Sequence, residues 1–370
     1  MNKNKSSGLL RLIAFFLVAI VMVCTFGFAA DGWTLAGEGS EQKNDKENPG
    51  NVEGVVDKDD AEEETKEPVI YIPEYINALT GIETSEELAN TKPLGFVMDA
   101  SSPLYGVSYS DILVELPVDN GATRLVGITT DISNLWKLGS LAKTRGYISN
   151  IGKFFDSTVI SAGNDDTNSY NSCDVSKDII VFSQENGFCY SEYSYYLYSN
   201  VNLVNSALLA SNVSTQKATD KKLPYLFTDF GADEILGEKE ATSISVFYSS
   251  GSMVELNYIG ESGEYEIVRN GNRQTDLLNN EELNFKNCLI LFSDSVTYEG
   301  TEGSQTVMNT IGEGVGFYFT NGTASEIKWQ SDIDGNLTFT DLNGSTLTLN
   351  RGRIYIGFVK SSRPENVSFS

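Results

Sequence analysis

Short apolar and β-branched runs, punctuated by Gly, Asn and Asp, dominate the chain after Pro68. Between residues 68 and 237 the runs at 94–98, 112–116, 123–128, 158–160 and 179–182 predict strands. Two stretches instead have helical spacing. Leu141, Ile148, Ile151 and Phe155 fall on one stripe of a helix predicted over 140–154, and Val201, Val204 and Leu208 do so over 200–209. Residues 68–237 thus read as a mixed α/β module. From Thr242 onward the pattern changes to brief alternating runs at 243–248, 254–258, 265–268, 288–293, 316–320, 337–340, 347–349 and 354–359. Asp334-Gly335 and Asn343-Gly344 supply tight hairpin turns between some of them, because glycine accepts positive φ. Residues 238–362 read as a mainly β module, and the expected fold class is α+β.

The opening of the chain follows a different pattern. Lys3, Lys5 and Arg11 precede an apolar run from Leu12 to Phe28, broken only by Thr25 and Gly27. A basic flank before such a run is held on the cytoplasmic side, so residues 1–30 read as an export signal or membrane anchor and the rest as extracytoplasmic. Cleavage after the small residues Gly27 and Ala29, retention as a span, and lipid attachment at Cys24 all stay open. Residues 31–67 contain 13 acids and 4 bases with almost no aliphatic side chains, too little apolar surface to offset the entropy of ordering. They read as a disordered acidic tether. The expected place is therefore the outer side of a cell membrane, with the membrane itself as one partner through the N-terminal segment.

Charge narrows the function classes. The 370 residues carry a net charge of −25, which argues against nucleic acid as a partner, since binding it requires bases that displace counterions. The sequence has no histidine, so the Ser-His-Asp and Cys-His nucleophile arrangements and His-ligated metal sites are excluded. No metal or cofactor is expected: the 311–316 glycine run lacks the spacing of a dinucleotide loop, and Asp332, Asp334 and Asn336 lack the closing glutamate of a calcium loop. The first reads as a close strand approach and the second as a hairpin turn. Cys173 and Cys189 could pair across a loop or remain thiols.

The candidate ligand-binding residues are Asp99, Asp111, Glu115, Arg124 and Arg145. Bases are scarce here, so Arg124 and Arg145 could converge on an anionic group, or each could neutralise a nearby acid. Asp111 and Glu115 are four residues apart. On a helix they would be neighbours, whereas on a strand they would stand about 13 Å apart, too far for a paired acid and base. The apolar residues between them favour the strand. No catalytic residue is assigned. The densest aromatic feature, Tyr190, Tyr193, Tyr195, Tyr196 and Tyr198, could line a sugar or polymer cleft or pack over a sheet.

The order of motifs resembles the YerB-like family of predicted bacterial lipoproteins. It runs through Leu79-Thr80-Gly81-Ile82, Lys92 to Asp99, Ser110 to Glu115, Asn120 to Arg124, Gly139 to Arg145, Phe155-Asp156 and Ser161-Ala162-Gly163. It continues in the last third through Asn270-Gly271, Asp276, Asn287 to Ile290, Trp329, Asp341, Gly344 and Leu349 to Gly352. The resemblance implies a two-module envelope protein of unassigned activity. Where relatives carry histidines this chain has Ser161 and Tyr195, and where they carry a first helix arginine it has Ala142. If those groups do chemistry in relatives, this chain has lost it. The leading expectation is binding of a small ligand or envelope partner without turnover. The alternative is an envelope hydrolase or transferase working through Asp111 or Glu115.

Overall fold

The computed structural model describes residues 70–164, 178–193, 195–218, 221–300 and 303–370. The signal or anchor segment, the acidic tether, Cys24 and Cys173 lie outside the described residues. Among those described, no helix is long and apolar enough to cross a membrane.

The protein is mostly β. Its first half contributes β1 (Leu94–Asp99), β2 (Ile112–Pro117), β3 (Thr123–Thr129), β4 (Leu138–Leu141), β5 (Thr158–Ser161), β6 (Ile179–Val181), β7 (Tyr190–Glu192) and β8 (Tyr196–Ser199). The helices among the described residues are α1 (Glu86–Ala89), α2 (Gly146–Phe154) and α3 (Val201–Ser211). The mixed α/β character expected of this half is thereby reduced to three short helices on a sheet whose central strands β1, β2 and β3 pair antiparallel. The helix expected over 140–154 is displaced at its start, where Leu138–Leu141 is taken up as a strand between β1 and β8. The helix expected over 200–209 is present as α3, N-capped by the Asn200 side chain on the amides of Asn202 and Leu203.

The sheet crosses the boundary expected near residue 237. β2 pairs parallel with Ile354–Lys360, which pairs parallel with Asn287–Ser293, and Gly312–Thr320 and Thr323–Ser331 extend the same sheet. A second, six-stranded sheet is built from Ser243–Ser249, Ser252–Ile259, Glu264–Arg269, two short strands and the terminal Val367–Phe369. The described residues belong to one compact unit, Glu67–Ser370.

Burial explains why the sheet forms as it does. Ile112, Val114 and Leu116 of β2 enter a core shared with Tyr147, Ile148, Ile151 and Phe154 of α2. Leu113, on the opposite face, enters a second core against Ile244, Val246, Val254 and Leu256 of the six-stranded sheet. A strand covered on both faces reads as a continuous apolar run, and any polar residue within it must find partners inside the protein. In β2 that residue is Glu115. The glycine run behaves as a close approach. A Cβ on Gly316 would stand 2.5 Å from the Ile290 carbonyl oxygen, and one on Gly314 would collide with the Phe292 carbonyl and the Trp329 indole. Asp332 closes a hairpin turn by accepting from the amides of Asp334 and Asn336 at 3.0 Å each.

Candidate functional site

Glu115 is fully buried, and its carboxylate binds Arg269 in a fork, Nη1 to Oε1 and Nη2 to Oε2, both 2.7 Å. Thr123 Oγ1 donates to it at 2.6 Å and the Tyr355 hydroxyl at 2.9 Å. Burial pushes this carboxyl up, but the Arg269 charge, the fork and the two hydroxyls outweigh burial and hold it below its usual range. The pair joins the two sheets, since Glu115 lies on β2 and Arg269 ends Glu264–Arg269. Such a carboxylate has no free lone-pair position for proton transfer.

The remaining candidates separate into pairs. Asp99 closes β1 opposite Arg124 of β3, and their side chains form an ion pair at 3.1 Å. Arg145 instead forks onto Asp119, with Nη1 2.9 Å from Oδ1 and Nη2 on Oδ2. Asp119 lies in a short 3-10 turn, Asp119–Gly121, between β2 and β3, and also accepts the Thr306 amide at 2.9 Å. Arg124 acts electrostatically on Asp119, so Asp99, Arg124, Asp119 and Arg145 form one charged edge. Glu115 reaches the same end of the sheet. Asp111 does not: it precedes β2 at the opposite end, accepting from Asn77 Nδ2 at 2.9 Å and from the Thr130 amide at 3.1 Å. Burial pushes its carboxyl up, against the lowering effects of Asn77, Thr130 and Arg353. Because the segment between Asp111 and Glu115 is a strand, the two carboxylates do not form a catalytic pair.

Beside the charged edge lies a cleft of about 380 Å³. Ser101, Ser102 and Asn120 form one wall, and Ser249, Ser252 and Gln274 another, with Arg269 between them. The close approach of the walls depends on Gly121, φ +76°, whose carbonyl accepts from Ser249 Oγ at 2.7 Å and whose missing Cβ leaves room for that serine. The lining is amide and hydroxyl, and its one charged side chain is already neutralised. Arg269 Nε is buried without a hydrogen-bond partner. Among the described residues no group of three or more Asp, Glu or Cys could hold a metal ion.

The tyrosines divide between packing and exposure. Tyr198 is buried, and the Lys137 ammonium lies 4.2 Å from its ring centre and 4.0 Å from that of Tyr105, whose ring meets the Tyr198 ring edge to face, while Glu192 pairs with the ammonium at 2.8 Å. Tyr193 and Tyr195 are exposed, and Tyr195 packs on Tyr196 at 4.4 Å between ring centres. Tyr196 is within electrostatic reach of Asp99. Cys189 and Cys288 are buried thiols.

Two residues central to this region, Arg269 and Asp119, escape a reading of the sequence alone, and a third, Asp276, is legible there only as a motif position without a role. Arg269 lies 154 positions from its partner, and nothing local marks the pairing. Asp119 looks like an ordinary turn acid. Asp276 is fully buried and accepts the amides of Gly106, Ser108 and Leu278 at 2.8 Å each, so it organises the loop after β1. The Asn-Gly that follows Arg269 at 270–271 was the available signal, as a tight turn presents the end of a strand.

A mostly β protein built around two large sheets, with a polar cleft at a strand end, is the class that the fold and the site define. Residues 244–356 match the model of the C-terminal domain of a protein family of unknown function, DUF3048. The fold is similar to that of the YerB protein from Bacillus subtilis in its crystal structure, with 20% sequence identity and a TM-score of 0.65 over 79% of this chain and 98% of that one. The last third of the chain thus resembles a domain family of unknown function, and the fold is YerB-like. No curated protein matches the chain.

Proposed function

We propose that the protein is tethered to the outer side of the cell membrane and binds an uncharged, hydroxyl- and amide-bearing envelope ligand, such as a glycan fragment, without turnover. The observation that carries this reading is the cleft beside the Glu115–Arg269 fork. Its lining offers hydrogen-bond donors and acceptors in both walls, and its single ion is already paired, which suits a neutral polar ligand. Tyr195 and Tyr196, beyond Asp99, add flat faces of the kind on which sugar rings stack. The basic and apolar opening segment and the acidic tether support the extracytoplasmic part of the reading. Turnover at Glu115 has less support, because that carboxylate is held as an anion by four donors.

Thermal unfolding of the full chain against cell-wall glycan fragments tests the binding claim. A ligand that binds only the native state raises Tm, by an amount that grows with the logarithm of one plus its concentration over Kd. The rise is expected in the wild type and absent in Ser102→Trp, which fills the cleft from its wall. A shift of equal size in both proteins would refute the site. A reporter fused after residue 370 and found active only inside the cell would refute the location.

A further inference from the structure

A second cavity, remote from the polar cleft, opens where the chain enters β1. Its volume is about 230 Å³, larger than the roughly 150 Å³ apolar cavity that accommodates benzene in an engineered protein. Leu79, Leu88, Pro93, Phe155 and Leu223 supply its apolar lining, and Leu79 and Phe155 carry it down to the main core. Asn77 and Thr130 also face it, but both are engaged in holding Asp111. The charged lining residues are Asp156, Lys217 and Lys221. Asp156 already accepts the Ala218 amide at 3.1 Å and stands 3.9 Å from Lys92. Lys221 reaches the Gly335 carbonyl at 2.6 Å. Among the described residues no acid pairs with Lys217. In a chain of net charge −25, an apolar cavity bordered by two lysines is a distinct feature.

We propose that this cavity binds a free single-chain amphiphile with an anionic head, its alkyl chain against Leu79, Leu88 and Phe155 and its carboxylate or phosphate at Lys217 and Lys221. The apolar lining selects the chain, and the lysines select the sign of the head. The site is independent of the ligand proposed for the polar cleft.

Titration calorimetry of the full chain with octanoate, octanol and octylammonium tests it. Octanoate is expected to bind about fivefold tighter than octanol, the scale of one or two partly exposed ion pairs, and octylammonium weakest. Lys217→Glu, a change at a half-exposed position, should abolish the preference for octanoate over octanol while leaving the unfolding midpoint unchanged. Ala89→Trp, placed on α1 at the cavity wall, should remove binding of both. Equal affinities for the three probes, octanoate binding that survives Ala89→Trp, or capture by phosphatidylglycerol vesicles with no binding of octanoate would each overturn the proposal.

Discussion

Replacing Arg269 with leucine tests the account of the buried pair most directly. The substitution removes two of the four hydrogen bonds to Glu115 and its only bound cation, leaving a fully buried carboxylate with Thr123 and Tyr355 as donors. Breaking a buried pair from one side costs about 3–5 kcal/mol, a large share of the roughly 5–15 kcal/mol that stabilises a folded domain. Removing both charges costs less, because the double variant Glu115→Leu/Arg269→Leu strands no ion. It loses only the Thr123 and Tyr355 hydrogen bonds, each about 1 kcal/mol. The single variant is therefore expected to be less stable than the double by about 1–3 kcal/mol. Urea unfolding followed through the buried Trp329 would measure both. Acid supplies a second readout. The folded-state carboxyl of Glu115 is held below its usual value, so its contribution is complete above the unfolded pKa near 4.5 and is lost as pH falls through the lower folded value. The gap between wild type and Arg269→Leu should narrow over that window. A double variant as unstable as the sum of two single variants, or a gap independent of pH below 4.5, would refute the reasoning.

Asp119→Ala removes the fork to Arg145 and the acceptor of the Thr306 amide; a loss of about 1–2 kcal/mol and faster hydrogen exchange at Thr306 are expected. Asp276→Ala leaves the amides of Gly106, Ser108 and Leu278 without their acceptor in a buried loop, so a loss above about 3 kcal/mol should appear in urea unfolding, with Asp276→Asn milder. Gly314→Ala places a methyl group against the Phe292 carbonyl, which also accepts the Trp329 indole at 3.0 Å. Destabilisation of about 1–3 kcal/mol with a red shift of Trp329 emission is the expected result, and unchanged emission would count against the contact.

What could be read in the sequence follows the range of the interactions involved. The strands of the first half are legible from residue type alone, as burial on both faces makes 94–98, 112–116 and 123–128 nearly continuous apolar runs. The strand at Thr323–Ser331 is not, because Ser325 and Glu326 break the alternation between the buried Ala324 and Ile327, and the buried positions at its two ends, Ala324 and Ser331, are small. The helix over 140–154 is half legible: the stripe of Ile148, Ile151 and Phe155 is real, but sheet pairing claims its start. For the candidate site, the residue types were legible and their partners were not. Arg124 and Arg145 each neutralise an acid, as an acidic chain with few bases requires, yet Arg145 pairs with Asp119, which only the path of the turn after β2 brings within reach.

The same logic locates the polar cleft. Glu115 interrupts an apolar strand at a place where an uncompensated charge would prevent folding, so its partner must come from whatever packs on that face. That partner is carried by the strand Glu264–Arg269, whose following turn, with the loops at Asp119–Gly121 and Ser249–Ser252, rims the cleft. Replacing the fork with leucines therefore perturbs stability and the lining of the cleft together, whereas Ser102→Trp perturbs the cleft alone. A ligand response lost in Ser102→Trp and kept in Glu115→Leu/Arg269→Leu would mean that the ligand is held by the walls and that the ion pair serves the fold.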